Sequence, residues 1–145
     1  MTAYHTTPSV WFAARSAASS QALIERTSPF CDAHELLNLT LEGPRVLHDV
    51  GTHAVAMLVV DAEAARLADL CDLAWKCGEV NPWFRCIVLG DGGECDWPKP
   101  TIFLPATTLS SVLIDRVRLE AHALRIAANR QRHVTRLQSR GEQQG

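Results

Sequence analysis

The sequence is short of long apolar runs, of patterned cysteines and of paired metal-ligating side chains, and each shortage removes a class of function. The longest apolar stretch covers residues 54–60, far below the roughly 20 residues needed to cross a bilayer. No basic segment followed by an apolar run and a small-residue cleavage site opens the chain, so neither a membrane span nor an export signal is expected. Five cysteines, Cys31, Cys71, Cys77, Cys86 and Cys95, form an odd and irregularly spaced set. That is unlike the even framework of a small secreted fold, and a reducing cytoplasm fits it best. Cys31 and His34 have a C-x-x-H spacing, but no second close pair accompanies them. A structural zinc site needs two such pairs, so buried free thiols and no metal are expected. His48 and His53 flank a predicted turn without any Ser or Cys nucleophile motif, and neither catalysis nor a cofactor is expected.

What is present is ordinary globular material. At 145 residues, with 47% apolar and 21% charged side chains, the chain has the size and composition of one domain with a single core. Its net charge of −2 conceals an uneven distribution. Residues 1–115 carry seven Lys/Arg against fourteen Asp/Glu, whereas residues 116–145 carry seven Arg against Glu120 and Glu142. A basic tail can bind nucleic acid. Here the arginines follow helical spacing with no aromatic stacking residue among them, so the reading adopted is a solvated helix face, with no nucleic-acid partner expected.

The order of elements is that of an α/β fold. Val10, Trp11, Phe12, Ala13 and Ala14 read as a short strand, followed by a helix over residues 16–24 with Ser19 and Ser20 near its start. Residues 35–39 are a second strand by position, although Glu and Leu are poor strand formers. A short helix to about Gly51 follows. The continuous apolar run 54–60, ending at Asp61, reads as a strand buried on both faces. Residues 62–77 have helical periodicity, from Ala65, Leu67, Ala68 and Leu70 to Cys71, Leu73 and Ala74, with Gly78 as the expected stop. Residues 84–89 form a fourth strand that breaks at Gly90, Asp91, Gly92 and Gly93. Where another helix would be expected there are only Glu94 to Lys99 and Pro100. Thr101, Ile102, Phe103 and Leu104 form a last short strand. Thr107 or Thr108 can cap a long final helix, running from about Leu109 to Ser139. Alternating strands and helices predict a doubly wound five-stranded parallel sheet in the flavodoxin-like order 2-1-3-4-5, with a shortened or missing fourth helix and an extended C-terminal helix. The predicted division is an α/β domain over residues 1–118 and a helical extension over 119–145.

Met57, Leu58, Val59, Val60 and Asp61, together with Ser111, Val112, Leu113, Ile114, Asp115, Arg116, Val117 and Arg118, make residues 8–118 resemble the bacterial response-regulator receiver family. The resemblance implies phosphoryl transfer to the third-strand aspartate, which needs carboxylates for Mg²⁺ near the first strand, a hydroxyl after the fourth and a lysine after the fifth. Those positions fall at Ala13, Ala14 or Arg15, at Gly90, and at Pro105 and Ala106, and none supplies the group required. Asp61 alone remains. A lone Asp at a strand end is also a common turn acceptor or helix cap, so a pseudo-receiver acting through protein contacts is the expectation, with phosphoacceptance by Asp61 as the alternative. Asp91, Glu94 and Asp96 are candidates to join Asp61 around a cation, or else form a solvated acidic loop. Gly90 to Gly93 have the glycine content of an anion cradle, but the acids that follow would repel phosphate.

Leu89, Gly90 and Asp91 with Asp96, Trp97 and Pro98 are also similar to the receiver-like N-terminal domains of sigma-54-dependent activators of flagellar genes. The Arg-rich last helix is similar to linkers that join receivers to diguanylate cyclase, phosphodiesterase or histidine kinase modules. Trp75, Trp83 and Trp97 are either core or an aromatic contact surface. On the last helix Leu119, Ala123, Ile126, Val134 and Leu137 continue an apolar stripe interrupted by Arg130, at spacing suited to a helical partner; the alternative is that this helix folds back on its own sheet. The expected contact surface is Trp97, Phe103, Val112, Arg116 and that stripe, the expected partner a second copy of the chain, and a linked output domain would read the arrangement.

Overall fold

The computed structural model describes residues 6–64 and 66–144. Five strands, β1 (Ser9–Ala13), β2 (Asp32–Glu35), β3 (Ala56–Asp61), β4 (Phe84–Leu89) and β5 (Thr101–Leu104), pair in parallel in the order β2-β1-β3-β4-β5. Four helices accompany them among the described residues: α1 (Ala17–Thr27), α2 (Leu39–Thr52), α3 (Leu67–Val80) and α4 (Ser110–Gln144). This is the doubly wound α/β architecture expected from the alternation of elements. No helix separates β4 from β5.

Strand β3 is central because nothing in it needs water. Ala56 to Val60 are all buried, and β1 and β4 flank it in register, Trp11 opposite Leu58 and Cys86 on its other side. Successive side chains along a strand point to opposite faces, and the two faces carry separate cores. Val10, Phe12, Met57, Val59 and Ile87 pack under Leu23 of α1 and Leu113, Ile114 and Val117 of α4. On the opposite face Trp11, Leu58, Val60, Cys86 and Val88 pack under Val46 and Val50 of α2 and Leu70, Leu73 and Ala74 of α3. Each fully buried aliphatic side chain of this kind contributes roughly 1.5–3 kcal/mol.

Local chemistry sets the helix starts. The Ser16 side chain caps α1 by accepting from the Ser19 backbone N–H at 3.2 Å. Asn38 does the same for α2 through the Leu41 N–H, while the Glu42 carboxylate reaches back to the N–H groups of Leu37 and Asn38. These caps correct the expected second strand. β2 covers Asp32–Glu35, because residues beyond Glu35 are committed to the Asn38 cap and to α2. As an edge strand β2 keeps polar residues, and His34 stacks on Trp11 at 4.6 Å between centroids.

Helix α3 begins at Leu67 and not at Ala62. The Ala64 N–H bonds back to the Asp61 carbonyl in a turn, and Arg66 adopts a left-handed backbone with φ of 64°. Ala65 lies outside the described residues. Gly78 does not stop the helix, which continues to Val80 and ends where the Asn81 N–H caps the Cys77 carbonyl. Nor does Thr108 cap α4. Its hydroxyl donates backwards to the Pro105 carbonyl at 2.6 Å.

Packing continues past residue 118. Ala121, Leu124 and Ala128 of α4 are buried, and Leu124 and Ala128 pack with Val55 and Trp83 beyond the amino end of the sheet. The inner face of α4 therefore belongs to the domain core as far as Ala128.

Candidate functional site

In a doubly wound sheet, ligands and chemistry are found outside the carboxyl ends of the strands. An open cleft of about 510 Å³ lies there, lined by Ala13, Ala14 and Arg15 after β1, Ser19 of α1, Asp61 at the end of β3, and Ala106, Thr108 and Ser110 after β5. Adjacency of β1 and β3 brings Arg15 beside Asp61. The Arg15 guanidinium donates from Nε to Asp61 Oδ2 at 3.2 Å, and its Nη1 lies 2.9 Å from Glu63 Oε2. Asp61 Oδ1 accepts from the Glu63 backbone N–H at 2.9 Å. Both carboxylate oxygens are thus engaged, one by a permanent cation and one by a turn. The Asp61 side chain is only 16% exposed, against 49% for Arg15.

The remaining positions named by the receiver resemblance converge on the same end of the sheet without supplying its chemistry. Ala13 and Ala14 carry methyl groups. Gly90 has φ of 115°, and a Cβ there would lie 2.7 Å from the Ala62 Cβ, so no hydroxyl-bearing side chain fits without moving the β3–α3 turn. Its N–H bonds to the Leu104 carbonyl, tying the ends of β4 and β5 together. Pro105 and Ala106 follow β5 with no ammonium group.

The test for a hard cation is equally clear. Among the described residues no group of three His, Cys, Asp or Glu side chains is arranged to hold a metal ion. Asp91 Oδ1 instead accepts from the Gly93 N–H, and Asp96 is held by its backbone carbonyl. The acidic loop and Asp61 do not assemble into a site, and the residues present do not fit Mg²⁺.

The loop between β4 and β5 takes the place of a helix. Trp97 is only 5% exposed and packs on the α3 side of the sheet, its Nε1 donating to the Gly92 carbonyl at 3.0 Å. Gly92 must be glycine, since φ is 80° and a Cβ would lie 2.7 Å from the Trp97 indole nitrogen. Trp97 is therefore removed from the expected contact surface: it fills the space left by the missing helix. Phe103, on β5 at the sheet edge, stays 49% exposed.

The outer face of α4 presents Val112, Leu119, Ile126, Val134 and Leu137, all exposed, with Ala123 between them. Steps of three and four residues from Val112 through Arg116, Leu119, Ala123, Ile126, Arg130 and Val134 to Leu137 keep them on one stripe. That stripe lies opposite the inner face formed by Leu113, Val117, Leu124 and Ala128. Arg116 pairs with Glu120 at 3.1 Å, and the Arg118 guanidinium lies 4.9 Å from the centre of the Phe30 ring.

Other expected features lie apart from the cleft. The Cys31 thiol donates to the Thr27 carbonyl, and His34 faces Trp11, so the C-x-x-H pair does not converge. His53 is buried at the amino end of the sheet, between Asp49 and Asp32. Sequence reasoning missed the Arg15–Asp61 pair, although the strand order places the residues after β1 beside the end of β3. It also missed the role of Asn81, whose side chain bridges the Val50 and His53 carbonyls.

No protein-family model matches the chain, and no curated protein does. A solved structure it is similar to is that of a protein from Burkholderia pseudomallei described as pilus assembly-related. The TM-score is 0.54 and the identity 12%, over 80% of this chain and 90% of that one. At that identity the likeness concerns the fold alone. Fold and geometry define an all-parallel α/β domain of flavodoxin-like strand order. Among the described residues no helix is long and apolar enough to cross a membrane.

Proposed function

We propose that the chain is a receiver-like regulatory module of a bacterial signalling protein that takes no phosphoryl group and acts through protein contacts, as a homodimer joined along the outer stripe of α4 and the adjoining β5 edge. The observation that carries this reading is the stripe itself. Val112, Leu119 and Ile126 are exposed on a segment of α4 whose inner face is already committed to the core. A rigid helix seated in that way presents its outer side chains at fixed spacing, as a helical partner requires.

The carboxyl end of the sheet supports the same reading from the chemical side. Phosphoryl transfer depends on electrostatic stabilisation of the transferring group by a metal and an ammonium ion. Here the positions around Asp61 supply neither group, and the carboxylate is instead paired with Arg15. In this proposal a second copy sets the spacing of the two α4 helices, and a linked output domain reads that spacing.

Light scattering of the wild-type chain beside a Leu119→Glu/Ile126→Glu variant tests the proposal. Both positions are exposed, so the variant keeps the folded domain, whereas truncation near Arg118 would strip Leu124 and Ala128 from the core. The expected result is a dimer that becomes a monomer in the variant with an unchanged circular dichroism spectrum. A wild-type monomer at all accessible concentrations, or a dimer indifferent to the two glutamates, would overturn it.

A further inference from the structure

We propose that Cys71 and Cys95 are a thiol-modification site, a pair that closes into a reversible intramolecular disulfide on reaction with a low-molecular-weight disulfide and clamps the β4–β5 loop onto α3. The inference is independent of dimerisation. Cys71 sits in the second turn of α3 and Cys95 in the loop that replaces a helix between β4 and β5, and both pack on the same core. The Cys95 thiol lies beside that of Cys71, within its hydrogen-bonding reach. The backbone explains why. The Asp96 carbonyl, next in the chain to Cys95, accepts from the Cys71 thiol at 3.3 Å and from the Trp75 indole Nε1 at 2.7 Å. These two bonds pin the loop to one side of α3, and Trp97 anchors its far end in the core. Gly90, Gly92 and Gly93, all at positive φ, let the chain turn back sharply enough to reach it.

The five cysteines are not equivalent. Cys31, Cys71, Cys77 and Cys86 are buried, and Cys95 alone is not. Cys95 is accordingly the thiol that an external reagent meets first. Its thiolate attacks one sulfur of the small disulfide; that S–S bond breaks, and the departing thiolate takes up a proton. The mixed disulfide on Cys95 is then attacked by the Cys71 thiolate. The bond between Cys95 and the small thiol breaks, the second small thiol leaves with a proton, and the Cys71–Cys95 bond forms. Two protein thiols are oxidised and one external disulfide is reduced to two thiols. Burial, with the neighbouring Cys95, Asp72 and Asp96, pushes the Cys71 thiol up to about 11. The thiolate is the attacking species, so closure is the slow step at neutral pH and accelerates as pH rises.

The test uses the full chain and oxidised glutathione under native conditions, followed by intact-mass analysis and peptide mapping. The expected product has lost two hydrogen atoms, shows three free thiols in place of five, and yields a peptide pair joined through Cys71 and Cys95. Cys95→Ser abolishes thiol loss, and Cys71→Ser stops at glutathione attached to Cys95. Should the buried Cys71 variant fold poorly, Cys95→Ser and the wild-type map decide the matter. A wild-type glutathione adduct on Cys95 that never resolves, a bridge through any other cysteine, or no loss of thiols would each overturn the proposal.

Discussion

The two ends of the parallel sheet both carry clustered polar side chains and use them in opposite ways. At the carboxyl end Arg15, Asp61 and Glu63 form an ion cluster that opens to solvent, at distances of 2.9 and 3.2 Å. At the amino end Asp49 Oδ2 accepts from the Ser9 hydroxyl and from the Trp11 indole, the latter at 2.8 Å, while His53 lies between Asp49 and Asp32. Beside them Asn81 donates to the Val50 and His53 carbonyls and accepts from the Trp83 N–H. Water screens the first cluster, whereas Ser9, His53 and Asn81 of the second are buried, with only Asp32 half exposed at its edge. A solvent-facing ion pair contributes about 0–1 kcal/mol, while a buried polar group stripped of its partner costs about 1–3 kcal/mol. Stability is thus concentrated at the amino end, and the carboxyl end contributes less to holding the fold.

Substitution at the two ends should reproduce that contrast. Asn81→Ala is expected to have the larger effect, because it strands two buried carbonyls and the Trp83 N–H at the junction of α2, α3 and β4. A loss of about 2–4 kcal/mol in urea unfolding is predicted from the cost of each unpaired group; a loss below about 1 kcal/mol would mean that this end is no better sealed than the other. Arg15→Ala should be much milder. The pair it breaks is half exposed, so the same assay should register a change of no more than about 1 kcal/mol. Equal losses in the two variants would erase the distinction.

The same contrast explains what could be read from the amino acids alone. The runs 54–60 and 84–89 are strongly apolar, since strands buried on both faces admit little else, and their positions were legible. β2 was displaced because Asp32, Ala33, His34 and Glu35 form a strand by position at an edge, without an apolar signature. The start of α3 was read too early because Ala62 and Ala64 suit a helix, whereas the Asp61 turn and the left-handed Arg66 override that preference. Asp61 was visible as the end of a strand, but its partner Arg15 became visible only when β1 and β3 were placed side by side. The missing helix between β4 and β5 is legible from the short run before Pro100, but whether Trp97 fills that gap or faces outward is not, and its burial settles it as core. On α4 the outer stripe was legible from its spacing. The inner one is obscured because arginines flank both. The nearness of Cys71 and Cys95, separated along the chain by an entire strand, has no local signal at all.

The central proposal is that Asp61 takes no phosphoryl group, because the residues around it supply neither metal-binding carboxylates nor an ammonium ion and both its oxygens are engaged by Arg15 and the Glu63 N–H. The most direct measurement is the intact mass of the chain after incubation with acetyl phosphate and Mg²⁺, read under conditions that preserve acyl phosphates. The account predicts an unchanged mass; a stoichiometric phosphoryl adduct mapping to Asp61 would contradict it.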